Sequence, residues 1–413
     1  MGGGKALAGA LVLLLLALLP VVSQGVERRR SQYLKEQAYL VVPFPFNIPG
    51  IGSGIAVTGL AANIGGGNTD AFGIIITGDA SGTIVRVSDF HLIEEKLILS
   101  VTYQRISRAV INNYETRGMD SDPNAFNLLE LSQADGQEIE LCLCLFEKKL
   151  QFFLGMEFDE STIERVRNSN GEIIGDFDQP IRGRETTRRI GVIIDNSDDL
   201  SDPRKGIRFA LEARRSPPRD GDDPDFIVLD LSLGFYIPMG KISTLVLNYF
   251  QSDARVSRQG QTDPTALRNE LGLNCTTPEC NAAVDALVER RIAENRFGTA
   301  TSLGGAFSRL RSYPVGRFQG AHMVFYGAEF RWNLTDEATP FDYFIWKDVR
   351  SSLQLAFFAE TGSVAESRSG LEKFKSSYGL GIRLISASGF VYRADLATGD
   401  EGTETVIIFG YPF

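Results

Sequence analysis

Between residues 228 and 237 the chain alternates strictly. Leu229, Leu231, Leu233, Phe235 and Ile237 fall on one side, and Asp230, Ser232 and Gly234 on the other. A period of two is the mark of a strand whose two faces meet different surroundings. The pattern recurs from Leu150 (with Phe152, Leu154, Met156 and Phe158), from Ile207 (with Phe209, Leu211 and Ala213), and over 139–145, 324–332, 353–361, 378–384 and 390–396. The polar sides carry charge in mid-strand, at Glu157, Arg208, Glu212, Glu329, Arg331, Glu360, Arg383 and Arg393. The dry core of a soluble β-sandwich excludes such groups, whereas a watery lumen accepts them. The expected fold is therefore an all-β, transmembrane, antiparallel up-and-down β-barrel.

Composition agrees with this once the alternation is known. The chain has 413 residues, 42 glycines, 10% aromatic residues and a mean hydropathy of −0.06. Averaging lipid-facing with lumen-facing residues hides a membrane signal of this kind. Short turns such as 147–149 and 238–240 alternate with long polar connections at 161–185, 216–224 and 254–319, an asymmetry of outer-membrane barrels. Strand starts near 53, 71, 83, 97, 125, 137, 149, 186, 206, 225, 242, 320, 351, 374, 389 and 403 give sixteen strands; merging the softer early ones gives fourteen. The chain ends with Ile407, Phe409, Tyr411 and Phe413 at every second position, which reads as an outward strand face. Phe409, Tyr411 and the terminal Phe413 resemble the C-terminal targeting signal of bacterial outer-membrane proteins.

The N-terminus reads as an export signal. Lys5 precedes an apolar run over 6–22, followed by Ser23, Gln24 and Gly25 as a small-x-small cleavage site. Residues 1–25 are thus a signal peptide, 26–50 a periplasmic linker, and 51–413 the barrel with its long loop 254–319. Cys275 and Cys280, in a polar stretch, suit a loop-closing disulfide. Cys142 and Cys144 share one strand face, the lumen side with Glu140, where packing of thiols is expected. A net charge of −10 offers no basic patch for nucleic acid, and no metal or cofactor motif is present. A barrel phospholipase would need a Ser–His pair on a lipid-facing strand. The nearest set is His91 with Ser88 and Asp89, and His91 shares a face with Asp89 but not with Ser88.

Five segments resemble the bacterial surface-antigen family, the BamA/TamA-like outer-membrane barrels and the transporters of two-partner secretion. Asp195-Asn196-Ser197-Asp198-Asp199, followed by Asp202-Pro203-Arg204-Lys205-Gly206, is similar to the family's Asp-rich turn before a strand. Gly304-Gly305 and then Leu310-Arg311-Ser312-Tyr313 resemble the motif of the long loop that folds back into the lumen, with Ser312 where the family has glycine. Gly327-Ala328-Glu329-Phe330-Arg331 and Phe358-Ala359-Glu360-Thr361-Gly362 resemble the two strands that follow, and the stretch from Pro43-Phe44-Pro45-Phe46 to Gly54 the family's entry into its first strand.

The resemblance implies a non-enzymatic barrel that assists outer-membrane protein insertion or translocation, or lipid homeostasis. A passive channel is the second reading. About 25 residues between signal and first strand leave no space for the family's periplasmic POTRA modules, so a POTRA-less member is expected. Its partners would then be outer-membrane lipids, unfolded outer-membrane proteins, and a separate periplasmic partner or a second copy of the chain. In this reading Arg311 locks the inserted loop against Glu329 and Glu360, whose dyads face the lumen, because a guanidinium can grip carboxylates bidentately. A soft seam is expected between a first strand at 54–64, rich in Gly and Ala, and a last strand containing Gly410 and Pro412.

Overall fold

Each alternating segment forms one strand, and the strands pair in chain order because short turns favour antiparallel neighbours. The computed structural model describes residues 37–271, 275, 277–305, 309–335, 341–343, 346–349, 351–386 and 391–413. The segment read as a signal peptide lies outside the described residues.

The first half of the wall is built by β1 (Ala38–Ile48), β2 (Gly52–Ile64), β3 (Thr69–Gly78), β4 (Ser81–Ile93), β5 (Leu97–Tyr114), β6 (Phe126–Leu145), β7 (Leu150–Asn168) and β8 (Ile173–Asp195). Then come β9 (Gly206–Arg215), β10 (Asp225–Pro238) and β11 (Ser243–Arg258). The long loop after β11 carries helices α1 (Pro264–Leu271) and α2 (Pro278–Phe297) before β12 (His322–Asn333). Two short strands, β13 (Phe341–Tyr343) and β14 (Trp346–Val349), form a separate hairpin. The wall is completed by β15 (Ser351–Ala365), β16 (Lys375–Ser386), β17 (Val391–Gly399) and β18 (Gly402–Phe409). Sixteen strands close into an antiparallel barrel in which β1 meets β18.

The number sixteen matches the expectation, but two of its members differ. Residues 38–48, within the segment read as a linker, form the true first strand and pair along all eleven residues with β2. The starts near 125 and 137 belong to one strand of twenty residues, β6. The stretch 161–185 is not a loop either: β7 and β8 run on as a paired ribbon to a turn at 169–172.

Strand register fixes which side chains face where. Ile55, Ile75, Leu154, Ile190, Phe357, Ile382 and Leu396 point outward and are exposed, giving an apolar belt that fits hydrocarbon rather than water. The opposite residues face the lumen, which has two characters. On β6–β9 it is charged, with the Arg189 guanidinium reaching Glu138, Glu157 (2.7 Å) and Glu212 (2.8 Å). On β1–β4 it is apolar, where Phe44, Phe46, Ala56, Phe72, Ile74, Ile76 and Ile84 form one cluster.

Candidate functional site: the luminal loop and the seam

After α2 the loop turns back into the barrel. Leu303 and Phe318 pair across its base through two main-chain hydrogen bonds of 2.9 Å. Gly304 and Gly305 have φ of +105° and +110°, a region open to glycine. A Cβ on Gly304 would stand 2.5 Å from the Pro314 carbonyl oxygen, and one on Gly305 2.5 Å from Val315 Cγ2. The glycines are thus required by both conformation and space. Leu310 also has a positive φ (+69°), whereas Ser312 is not among the positive-φ residues, so a serine there imposes no backbone strain. The Ser312 N–H donates to Ser377 Oγ (3.1 Å), and the Tyr313 hydroxyl donates to the Ser376 carbonyl (3.2 Å).

Arg311 is fully buried in the lumen. Its Nε donates to Glu360 Oε1 (2.8 Å) and its main-chain N–H to Glu360 Oε2 (3.0 Å). Its Nη1 reaches Glu329 Oε2 (3.3 Å) and Asp395 Oδ2 (3.1 Å), and its guanidinium lies 3.3 Å from the ring centre of Phe358. Arg311, Glu329 and Glu360, predicted together, therefore lie together. The sequence reading missed the rest of the assembly. Arg383 grips Glu329 with both Nη atoms, Arg331 Nε donates to Glu329 Oε1 (2.7 Å), and Arg393 donates to Asp395. Four buried guanidiniums (Arg311, Arg331, Arg383, Arg393) face three buried carboxylates (Glu329, Glu360, Asp395), leaving one net positive charge. Four strands and a loop supply these groups, and no local motif could have revealed Asp395 as a partner of Arg311.

The C-terminus enters the same cluster, which corrects the expected outward face. Register keeps Ile407 and Phe409 outward, since Val406 and Ile408 pair with the luminal Asp395 and Arg393. Gly410, with φ of +79°, then ends the strand and turns the chain inward. The Tyr411 hydroxyl donates to Asp202 Oδ1 (2.6 Å), and the Arg331 guanidinium lies 3.9 Å from its ring centre. Phe413 packs beside Phe325 in the luminal core. The Asp-rich turn thus meets the chain end across the lumen, while its Asp198 Oδ1 accepts from the main chain of Arg204 and Lys205.

The seam between β1 and β18 is the second part of the site. Its ladder has a single residue pair, Asn47 with Ile407, against eleven on the other edge of β1. At that register Pro45 stands opposite Phe409 and Pro43 opposite Tyr411, so the two strands face each other only over 45–48; Gly and Ala at 54–64 lie in β2, off the seam, and Gly410 and Pro412 lie past the last strand. Pro45, of the same parity as Asn47, removes a donor from that short stretch. Beyond the Asn47 pair the two edges overlap. Luminal Phe44 meets outward-facing Phe409 (ring centres 4.3 Å apart), and Phe409 reaches luminal Phe72 of β3 (6.1 Å). Luminal Thr58 of β2 bonds the hydroxyl of outward-facing Tyr392 of β17 (2.9 Å). The β17–β18 hairpin therefore tucks inside β1–β3.

The luminal loop touches both sides of this seam. The Val315 N–H donates to the Pro49 carbonyl in the β1–β2 turn (2.9 Å). Arg317, also fully buried, donates from Nε (2.7 Å) and Nη2 (2.8 Å) to Glu401 in the β17–β18 turn, and to Ser121. Neither Pro49 nor Arg317 had been singled out from sequence. Elsewhere, Cys275 and Cys280 are joined (Sγ–Sγ 2.03 Å) just before and within the first turn of α2. His91 pairs with the luminal Ile98 and its Nδ1 accepts from the Glu95 N–H (3.1 Å), so it sits on the lumen side rather than the lipid side.

The barrel has counterparts among solved structures. BamA from Haemophilus ducreyi lacking POTRA domains 1–3 superposes with a TM-score of 0.51 at 10% identity, over 91% of this chain and 70% of that one. CdiB from Escherichia coli superposes with a TM-score of 0.51 at 13% identity, over 91% of this chain. The fold is that of the BamA and CdiB barrels. The chain spans 62% of the length of that CdiB. No protein-family model and no curated protein matches the chain.

Proposed function

We propose that this chain is a non-enzymatic outer-membrane barrel of the BamA/TamA-like kind, whose wall opens at the β1–β18 seam. Opening would pass polypeptide segments into the bilayer during membrane-protein insertion or translocation, or lipid during membrane homeostasis. The observation that carries this reading is the seam: one ladder pair where every other neighbouring pair of wall strands is joined by at least seven. Each unmade main-chain pair lowers the cost of parting the edges, and hydrocarbon makes unpaired edges reactive toward any incoming strand. The loop, held by Arg311 at one point and by Arg317 and Val315 at the seam, would keep the lumen closed at rest. The N-terminal segment would act as a removable export signal, and clients would be delivered by a periplasmic partner or a second copy.

Asn47 and Ile407, as facing residues, offer the test. Asn47→Cys with Ile407→Cys, oxidised, should abolish assisted folding of a urea-unfolded outer-membrane protein into vesicles, and reduction should restore it. The same crosslink assayed for transfer of a fluorescent phospholipid between leaflets separates the lipid role from the protein role. Full activity in both assays with the crosslink complete would sink the seam-opening reading.

A further inference from the structure

Cys142 and Cys144 are free, unlike the joined Cys275 and Cys280, and stand apart from the loop and seam. Both point to the lumen from β6, with Sγ atoms 2.9 Å apart. Ile98, Phe153 and Ile193 wall them in, and Gln151 Oε1 lies 3.8 Å from Cys142 Sγ. Lys148, ion-paired to Asp89 (2.6 Å), is within electrostatic reach of both thiols.

From this geometry we propose that the pair is a two-coordinate site for a soft monovalent d10 cation, copper(I) in the first place. Thiolate sulfur prefers soft ions of this class. Same-face neighbours of a strand stand two rises apart, about 6.6–6.8 Å at Cα. Their parallel Cβ vectors keep the Cβ atoms well beyond the 3.5–4.5 Å that a disulfide needs. A linear sulfur–metal–sulfur unit sets the sulfurs two metal–sulfur bonds apart, further than the 2.9 Å between them here, and χ1 rotations of the two thiols open that gap. Higher coordination is not offered, since no group of three or more His, Cys, Asp or Glu that could hold a metal occurs among the described residues. Binding breaks two S–H bonds, forms two metal–sulfur bonds and releases two protons, with no change of oxidation state. The site then carries one negative charge beside the Lys148–Asp89 ion pair.

The test uses the full chain in detergent micelles, purified without reductant and titrated with copper(I) held by a chromophoric chelator. One equivalent should leave the chelator, and X-ray absorption should report two sulfur neighbours. Cys142→Ser and Cys144→Ser, each checked for an unchanged unfolding midpoint, should each weaken binding by at least about 100-fold, beyond what loss of a mere supporting contact gives. The proposal fails if the intact protein takes up no copper, if either serine variant binds as before, or if the ion has three or four neighbours. It fails equally if mass spectrometry finds Cys142 and Cys144 already coupled as a disulfide.

Discussion

Phe44 and Phe409 stack edge to face with ring centres 4.3 Å apart, although one side chain leaves the inner face of the wall and the other the outer face. Such a contact exists only where one edge of the sheet lies inside the other. Tyr392 joins the pair at 5.5 Å from Phe44 and 5.1 Å from Phe409. Side-chain packing thus adds to a single ladder pair as the closure.

Phe44→Ala should consequently loosen the seam without unfolding the wall. Phe to Ala in a full core costs about 3–5 kcal/mol, and Phe44 is half-buried, so a loss of about 2 kcal/mol is expected. Urea midpoints of the folded band in semi-native electrophoresis measure it, and crosslinking yield between cysteines at 47 and 407 should fall in parallel. An unchanged yield would mean that the overlap does not hold the edges.

Removing the Arg311 side chain leaves Glu360 and Asp395 buried with fewer partners. Truncating one member of a buried ion pair costs about 3–5 kcal/mol. Arg311→Ala should lower stability by that order and render 304–318 sensitive to added protease. Arg311→Lys should not restore protection, because an ammonium cannot serve Glu360, Glu329 and Asp395 from one planar fork. Wild-type protease resistance in Arg311→Ala would contradict the locking role of this residue.

Arg317 and Glu401 tie the loop to the last hairpin. A double-mutant cycle with Arg317→Ala and Glu401→Gln should give a coupling of about 1–3 kcal/mol, as expected for directly bonded side chains. Additive effects would indicate that Ser121, not Glu401, is the effective partner of Arg317.

Gly304→Ala forces a side chain into φ of +105° and against the Pro314 carbonyl. A cost of about 1–3 kcal/mol follows from the backbone strain. Gly59→Ala is the control: nothing lies within 4 Å of its Cβ position, and it should shift stability by less than about 1 kcal/mol. Equal effects at the two sites would remove the argument that the loop demands glycine.

At the β3–β4 turn, Asp79 Oδ2 accepts from the N–H (2.8 Å) and hydroxyl (2.9 Å) of Ser53, and these bonds hold the carboxyl below its ordinary range. A depressed pKa means stabilisation that is present above the ordinary carboxylate value and is lost as pH falls through the depressed one. The protection factor of the Ser53 amide, with the intrinsic pH dependence of exchange divided out, should therefore fall on acidification in that window. Asp79→Asn should remove the acid step, and a pH-independent protection factor in the native protein would refute the link.

The wall was largely legible because lipid and lumen impose opposite demands on alternate residues. Legibility failed where that contrast is lost. Residues 38–48 are apolar on both faces, as Tyr39-Leu40-Val41-Val42 shows, so no alternation marks them as a strand; on the luminal side Phe44, Phe46 and Ile48 pack in one cluster with Phe409. Ser132 to Glu138 in the middle of β6 are polar on both faces apart from Ala134 and Gly136, and this split one strand into two. Tyr411 and Phe413 continue the alternation of Phe409 on paper, but Gly410 redirects the chain. In the site, the acid and base of one loop and two nearby strands were visible. Asp395, and the joint grip of Arg331 and Arg383 on Glu329, follow from strand order around the barrel, which spacing along the chain does not report.

A cylinder closed by a ladder has a fixed perimeter, since any change breaks hydrogen bonds in whole residue steps. A wall closed by overlap behaves like a rolled sheet. Sliding the β17–β18 hairpin along the inner surface of β1–β3 would break one ladder pair and the Thr58–Tyr392 hydrogen bond and otherwise exchange one apolar contact for another, so the circumference would be tuned by the length of the apolar strip from Phe44 to Ile84. The loop, with one end of its reach on Pro49 and the other on Glu401, then acts as the belt that sets how far the roll is wound.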